Sequence, residues 1–160
     1  MLLQVGNIVL TILLESLNGR ETLLRNKGNF VMNGNKYFLD TNAIIQLLRG
    51  NNSIQVLLKN ADFVACSIIS ELEYLSFKDL SKNDIELFKK FLDRIDVIDI
   101  KHSQSELKQM IVDIRKKKQL KLPDAIIMAT SKFLKCRLVT ADKHLSGIYE
   151  DDTVLYKIDS

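Results

Sequence analysis

Two rhythms of hydrophobic and polar positions alternate along the chain. Short apolar runs occur at Lys36–Asp40 (KYFLD), Phe63–Ser67 (FVACS), Val97–Ile100, Arg137–Thr140 (RLVT) and Val154–Ile158. Their length and their β-branched and aromatic residues predict buried strands. Between them the spacing turns helical. Thr41–Leu48 is followed by Arg49-Gly50, and a glycine there fits a helix stop. Ser53–Lys59 and Ile68–Ser76 read as short helices. Ile85, Phe88, Leu92 and Ile95 fall on one face of a helix over about Asn83–Ile95.

In the second half, Ser103-x-x-Glu106 has the form of a capping box, opening a helix with Leu107, Met110, Ile111 and Ile114 on one side. Pro123 suits the first turn of the next helix, which runs to about Leu134. Ala125 and Ala129, one turn apart, predict close packing in the core. A short helix near Asp142–Leu145 precedes the last strand. Strands alternating with helices predict an α/β sandwich around a mostly parallel sheet. Ligands of such sheets sit beyond the carboxyl ends of the strands, so chemistry is expected there.

Composition narrows the class. A chain of 160 residues has room for one domain, and 46% hydrophobic with 27% charged residues excludes disorder, collagen and coiled coil. The net charge of +3 is too small to announce nucleic-acid binding by itself. Cys66 and Cys136 each lie in an apolar run, which predicts buried free thiols in a reducing cytoplasm. The apolar stretch Ile8–Leu14 is shorter than the roughly 20 residues that span a bilayer. No basic residue precedes it, so neither a membrane anchor nor a secretory signal is expected.

Residues 1–31 stand apart, without clear periodicity, from a domain expected over 32–160. Two readings of them are open: an amino-terminal hairpin or strand, or a natural start at Met32. The second draws on Lys27-Gly28, whose codons form a purine-rich run at ribosome-binding distance from Met32.

Four acids carry the candidate chemistry. Asp40 closes the first strand, Asp142 follows RLVT, Asp124 opens a helix and Glu71 follows FVACS. The three aspartates each have a plain alternative as helix caps or dipole partners. Glu71 shares an apolar face with Ile68 and Leu75, while Glu73 points elsewhere. A carboxylate turned toward a core needs a partner or a cation, and no Lys or Arg lies between Lys59 and Lys78. Several acids in one crevice cannot all ionise comfortably without a cation. A hard divalent ion resolves this, with one or two direct carboxylates and the rest holding its waters. Such a site supports in-line hydrolysis of a phosphate ester.

At this point the sequence resembles the PIN-domain family, specifically its VapC-type toxin ribonucleases. The carrying segments are FLDTN (Phe38–Asn42), SIISELEYL (Ser67–Leu75), LPDAIIMATS (Leu122–Ser131) and LVTAD (Leu138–Asp142), in register over essentially all of 32–160. The resemblance implies a PIN-like three-layer sandwich and a Mg²⁺- or Mn²⁺-dependent endoribonuclease with an acidic pocket of Asp40, Glu71, Asp124 and Asp142. Asp40 and Asp124 would be direct ligands; Glu71 and Asp142 would bind directly or through water. Asn42 and Thr140 match positions that steady the pocket by hydrogen bonds. It also implies an RNA substrate, a cognate antitoxin that occludes the pocket, and a homodimer. VapC-type chains commonly carry glycine four residues after the motif glutamate, where this chain has Leu75.

Arg115, Lys116, Lys117, Lys118 and Lys121 form the one marked basic run, ahead of Asp124. It reads either as a solvated helix end or as a phosphate-contacting rim for RNA. His102 and His144 are poor candidates for acid–base work. No Gly-rich phosphate loop, CxxC pair or nucleophile elbow occurs, which disfavours P-loop, zinc and serine-type chemistry. A phosphoacceptor receiver domain would need an acid pair after the first strand, and Asp40 is followed by Thr41. The rival from another class is a catalytically silent PIN-like module that binds RNA or protein.

Overall fold

The computed structural model of the chain describes residues 34–157, so the expectations for residues 1–31, for a start at Met32 and for Ile158 lie outside the described residues. Five parallel strands form one sheet in the order β3-β2-β1-β4-β5. They are β1 (Lys36–Leu39), β2 (Phe63–Ser67), β3 (Asp96–Ile98), β4 (Arg137–Thr140) and β5 (Thr153–Leu155). The helices are α1 (Thr41–Leu48), α2 (Asn52–Lys59), α3 (Ile68–Leu75), α4 (Lys82–Leu92), α5 (Ser105–Lys118), α6 (Leu122–Phe133) and α7 (Lys143–Ile148). No helix among the described residues is long and apolar enough to cross a membrane.

Parallel strands bury both faces, and the period-2 pleat sends successive side chains to opposite cores. From β1, Tyr37 and Leu39 enter the core that holds α1, α2, Tyr74 of α3 and Phe88 of α4. Phe38 enters the other, with α5, α6 and Leu145 of α7. The result is the three-layer α/β sandwich expected. Tyr74 stacks on Phe88 with ring centroids 3.9 Å apart, joining α3 to α4. Ala125 and Ala129 are fully buried, in keeping with their spacing.

Helix ends follow local chemistry. Gly50 adopts φ 95°, closing α1 as a Schellman turn: its N–H donates to the Leu47 carbonyl and that of Asn51 to Gln46. The capping box expected at Ser103 and Glu106 does not form. The chain instead turns at Lys101, whose N–H donates to the Gln104 side chain, and α5 starts two residues later than Ser103. A reciprocal capping box is found at Ser81 and Asp84, opening α4.

Candidate active site

The sheet order sets the place of the site. From β1 the chain moves outward to β2 and β3, then returns to β4 on the far side of β1. The carboxyl ends of β1 and β4 therefore flank the topological switch point, where an α/β sheet opens a crevice. A crevice of about 520 Å³ lies there. Its walls are Asp40, Thr41 and Asn42 after β1, Asp142 and Leu145 after β4, Asp124 and Ile127 of α6, and a stripe from α3 into the following loop. That stripe is Ile69, Leu72, Glu73, Ser76 and Phe77.

Asp40 is buried, 5% exposed, at the amino terminus of α1. Its carboxylate accepts the Ala43 N–H at 2.5 Å and is hydrogen-bonded by Thr140. Burial pushes its pKa up to about 6 against those hydrogen bonds, and the charges of Asp142 and Asp124 push the same way. Asp124, in the first turn of α6, is also raised, first by burial and then by Glu73 and Asp142. Lys121 and His144 oppose that rise. Thr140 links two of the acids: its hydroxyl bonds Asp40 and accepts the Asp142 N–H at 3.0 Å. Asp142 in turn caps α7, accepting from the His144 N–H at 2.7 Å.

Three of the four expected acids thus converge, and the capping reading holds for Asp40 and Asp142 alongside it. The fourth is placed differently. Glu73, not Glu71, faces the crevice. Ile69, Leu72, Glu73 and Ser76 follow the i, i+3, i+4, i+7 spacing of one helix face, and two residues of α-helix turn about 200°. Glu71 is therefore carried to the other side of α3, half-buried, where its charge helps raise the Cys66 thiol. Glu73 accepts a hydrogen bond from the Thr41 hydroxyl. The sequence signal for Glu73 is its spacing from Ile69 and Ser76. With Glu73 as the acid, the position four residues on is Phe77, half-exposed on the crevice wall, rather than Leu75.

Asn42 lines the crevice, while the side-chain bond to an acid is made by its neighbour Thr41. Arg115, Lys116, Lys117 and Lys118 are exposed on the last turn of α5 and are not part of the crevice wall. Lys121 directly precedes α6, and its charge is felt at Asp124. His102 and His144 are exposed. Cys66 and Cys136 are buried free thiols, pushed up to about 12 and about 11 first by burial.

The donor set is all oxygen and mutually repulsive, which is the chemistry a hard divalent cation requires. Among the described residues no three acidic, His or Cys side chains are close enough to ligate one ion together.

Fold and crevice together define an α/β domain with an acidic pocket at its switch point. The family model "PIN domain" matches residues 37–151, and the chain belongs to that family. No curated protein matches it. Among solved structures, a chain of a toxin–antitoxin complex from Klebsiella pneumoniae is similar at 27% identity and TM-score 0.64, covering 76% of this chain and 99% of that one. A chain of VapBC2 from Rickettsia felis, solved with a promoter DNA fragment, shares the fold. It is 20% identical with TM-score 0.60, over 76% of this chain and 98% of the other.

Proposed function

We propose that the chain is a divalent-metal-dependent endoribonuclease of the VapC toxin type, restrained by a cognate antitoxin. The observation that carries the reading is the meeting of Asp40, Glu73, Asp124 and Asp142 around one crevice at the β1–β4 switch point. The likeness to a toxin–antitoxin chain, over nearly all of that chain's length, supports the antitoxin half.

In this reading Asp40 and Asp124 would hold Mg²⁺ or Mn²⁺ directly, and Glu73 and Asp142 would act directly or through water. A bound cation supplies Lewis acidity to the attacking water and charge neutralisation to the phosphate. The chain's own residues orient and hold protons. The Ala43 N–H and the Thr140 hydroxyl fix Asp40 in one orientation. Thr41 fixes Glu73 against the crevice wall, where it can accept a proton from water. Lys121 and the basic turn of α5 offer phosphate contacts that position a strand beside Asp124. Hydrolysis then leaves 5′-phosphate ends. A homodimer in the cytoplasm belongs to the same reading.

The deciding experiment incubates purified protein with RNA, with Mg²⁺ or Mn²⁺ and then with EDTA. Metal-dependent cleavage that vanishes in the Asp40→Asn, Asp124→Asn double variant supports the assignment. Persistent cleavage by that folded variant overturns it. A silent binding module would show neither cleavage nor stabilisation by Mn²⁺.

A further inference from the structure

Phe77, just past the end of α3, is 49% exposed, yet its ring is held in place. It meets Tyr74 edge to face, with centroids 6.3 Å apart and planes at 89°. Tyr74 is itself buried and stacked on Phe88. The Phe77 N–H donates to the Tyr74 carbonyl at 3.2 Å, which fixes the backbone beneath the ring. A second hollow, of about 410 Å³, opens between α1, α3 and α4. Its floor is apolar, made by Ile45, Leu48, Tyr74, Leu80 and Leu87. Among the described residues, Phe77 alone belongs to the walls of both this hollow and the acidic crevice.

Single exposed apolar side chains are common on protein surfaces and call for no explanation. Phe77 differs in being an oriented ring on the ridge between two cavities, with exposed Leu72 adding apolar surface on the crevice side. The two cavities also differ in charge. Four carboxylates meet at the crevice, whereas Asp79 and Asp84 of the second hollow are matched by Arg49 and Lys78. Asp84 is moreover engaged by Ser81 in the capping box of α4. A strand whose phosphate sits at the crevice can therefore lead into the second hollow without meeting further net negative charge. Single-stranded RNA offers its unstacked bases to aromatic faces, and every base has a face that stacks. We propose that Phe77 is a substrate-contacting residue: a base flanking the scissile phosphate stacks on its ring at the mouth of the second hollow. A ring already oriented by Tyr74 loses little freedom when the base arrives, so little of the contact is spent on ordering it. The inference rests on the endoribonuclease reading of the crevice.

The test uses a short RNA that the wild-type chain cleaves at one site. It is prepared intact and with an abasic ribose at each nucleotide flanking that site in turn. Values of kcat/KM with Mn²⁺ are measured for wild type, Phe77→Leu and Phe77→Tyr. One abasic position should cost wild type and Phe77→Tyr about 10-fold, but Phe77→Leu less than about 2-fold, because the leucine variant has already lost the stack. Equal melting temperatures of the three proteins check that the fold is kept. A Phe77→Leu loss of the same size on intact and abasic RNA overturns the inference. Cleavage of intact RNA at the wild-type rate by Phe77→Leu also overturns it, leaves the acidic crevice standing and returns this face to a protein partner. A wild-type chain that cleaves no RNA overturns the endoribonuclease reading, and this inference with it.

Discussion

Thr41 and Glu73 are joined by a hydrogen bond from hydroxyl to carboxylate, although 32 residues separate them. The bond spans the crevice from the first turn of α1 to the inner face of α3. It holds an acid against neighbouring acids with a neutral donor, so the local charge stays negative for a cation. Thr41→Val keeps the shape and removes the donor. RNA cleavage should fall about 3- to 10-fold, a loss of roughly 1 kcal/mol in transition-state stabilisation. Single-turnover rates on a defined RNA check it.

The two glutamates of α3 provide an internal control. Glu73→Gln should lower cleavage by about 10- to 100-fold, in the range of a partner that orients a metal site. Glu71→Gln, half-buried on the opposite side of the helix and outside the crevice wall, should cleave within about 2-fold of wild type, since it keeps the side-chain shape. Equal losses from both would return the role to the whole helix rather than to one face.

Asp40 gives the protein a defined response to pH. Its pKa rises from the ordinary 3.8 to about 6, chiefly because burial disfavours the charge. An acid raised on folding holds its proton more tightly in the native state. Its contribution to stability is full below about pH 4 and is lost as pH climbs through about 6. That rise corresponds to roughly 3 kcal/mol at most. Asp40→Asn, which still can cap α1 through its amide oxygen, should therefore melt higher than wild type at about pH 7 in EDTA, while cleaving no RNA. Between about pH 4 and pH 7 its melting temperature should also change less than that of wild type, measured by differential scanning fluorimetry.

Removal of the proton is also the condition for metal binding. Mn²⁺ should raise the wild-type melting temperature at about pH 7.5 and do so progressively less below about pH 6, as protons compete for Asp40. The Asp40→Asn, Asp124→Asn variant should show no such rise at either pH.

Lys116→Glu with Lys117→Glu reverses two exposed charges on the last turn of α5. RNA affinity should drop, and the dependence of log affinity on log salt should become shallower by about 0.7 for each phosphate that is no longer neutralised. Mn²⁺ affinity should not change. An unchanged slope would assign those lysines to the helix dipole alone.

What is legible in the sequence follows from where each signal is stored. Strand β2 and helix α1 match their expected bounds because a run of four apolar residues and a terminal glycine are local features. Asp40, Asp124 and Asp142 are legible because each marks an element end, and element ends of a parallel sheet meet at one edge. The glutamate is not. Helix α3 carries apolar residues nearly all round, at Ile68, Ile69, Leu72 and Leu75, yet Leu72 and Leu75 are exposed. Periodicity therefore points Glu71 inward, and only the approach of α1 and α6 picks the opposite face. The capping box at Ser103 is absent for a similar reason, since the turn after Ile100 is fixed by the Lys101–Gln104 bond instead.

The placement of β4 between β1 and β5 carries a consequence for synthesis. Asp40 leaves the ribosome early and Asp142 late, and the wall they share exists only after β4 has slotted in beside β1. A nascent chain that stops short of β4 has the first acid but neither Thr140 beside it nor the last carboxylate. The crevice is thus completed late in translation, and a product that ends before β4 lacks part of its acidic wall.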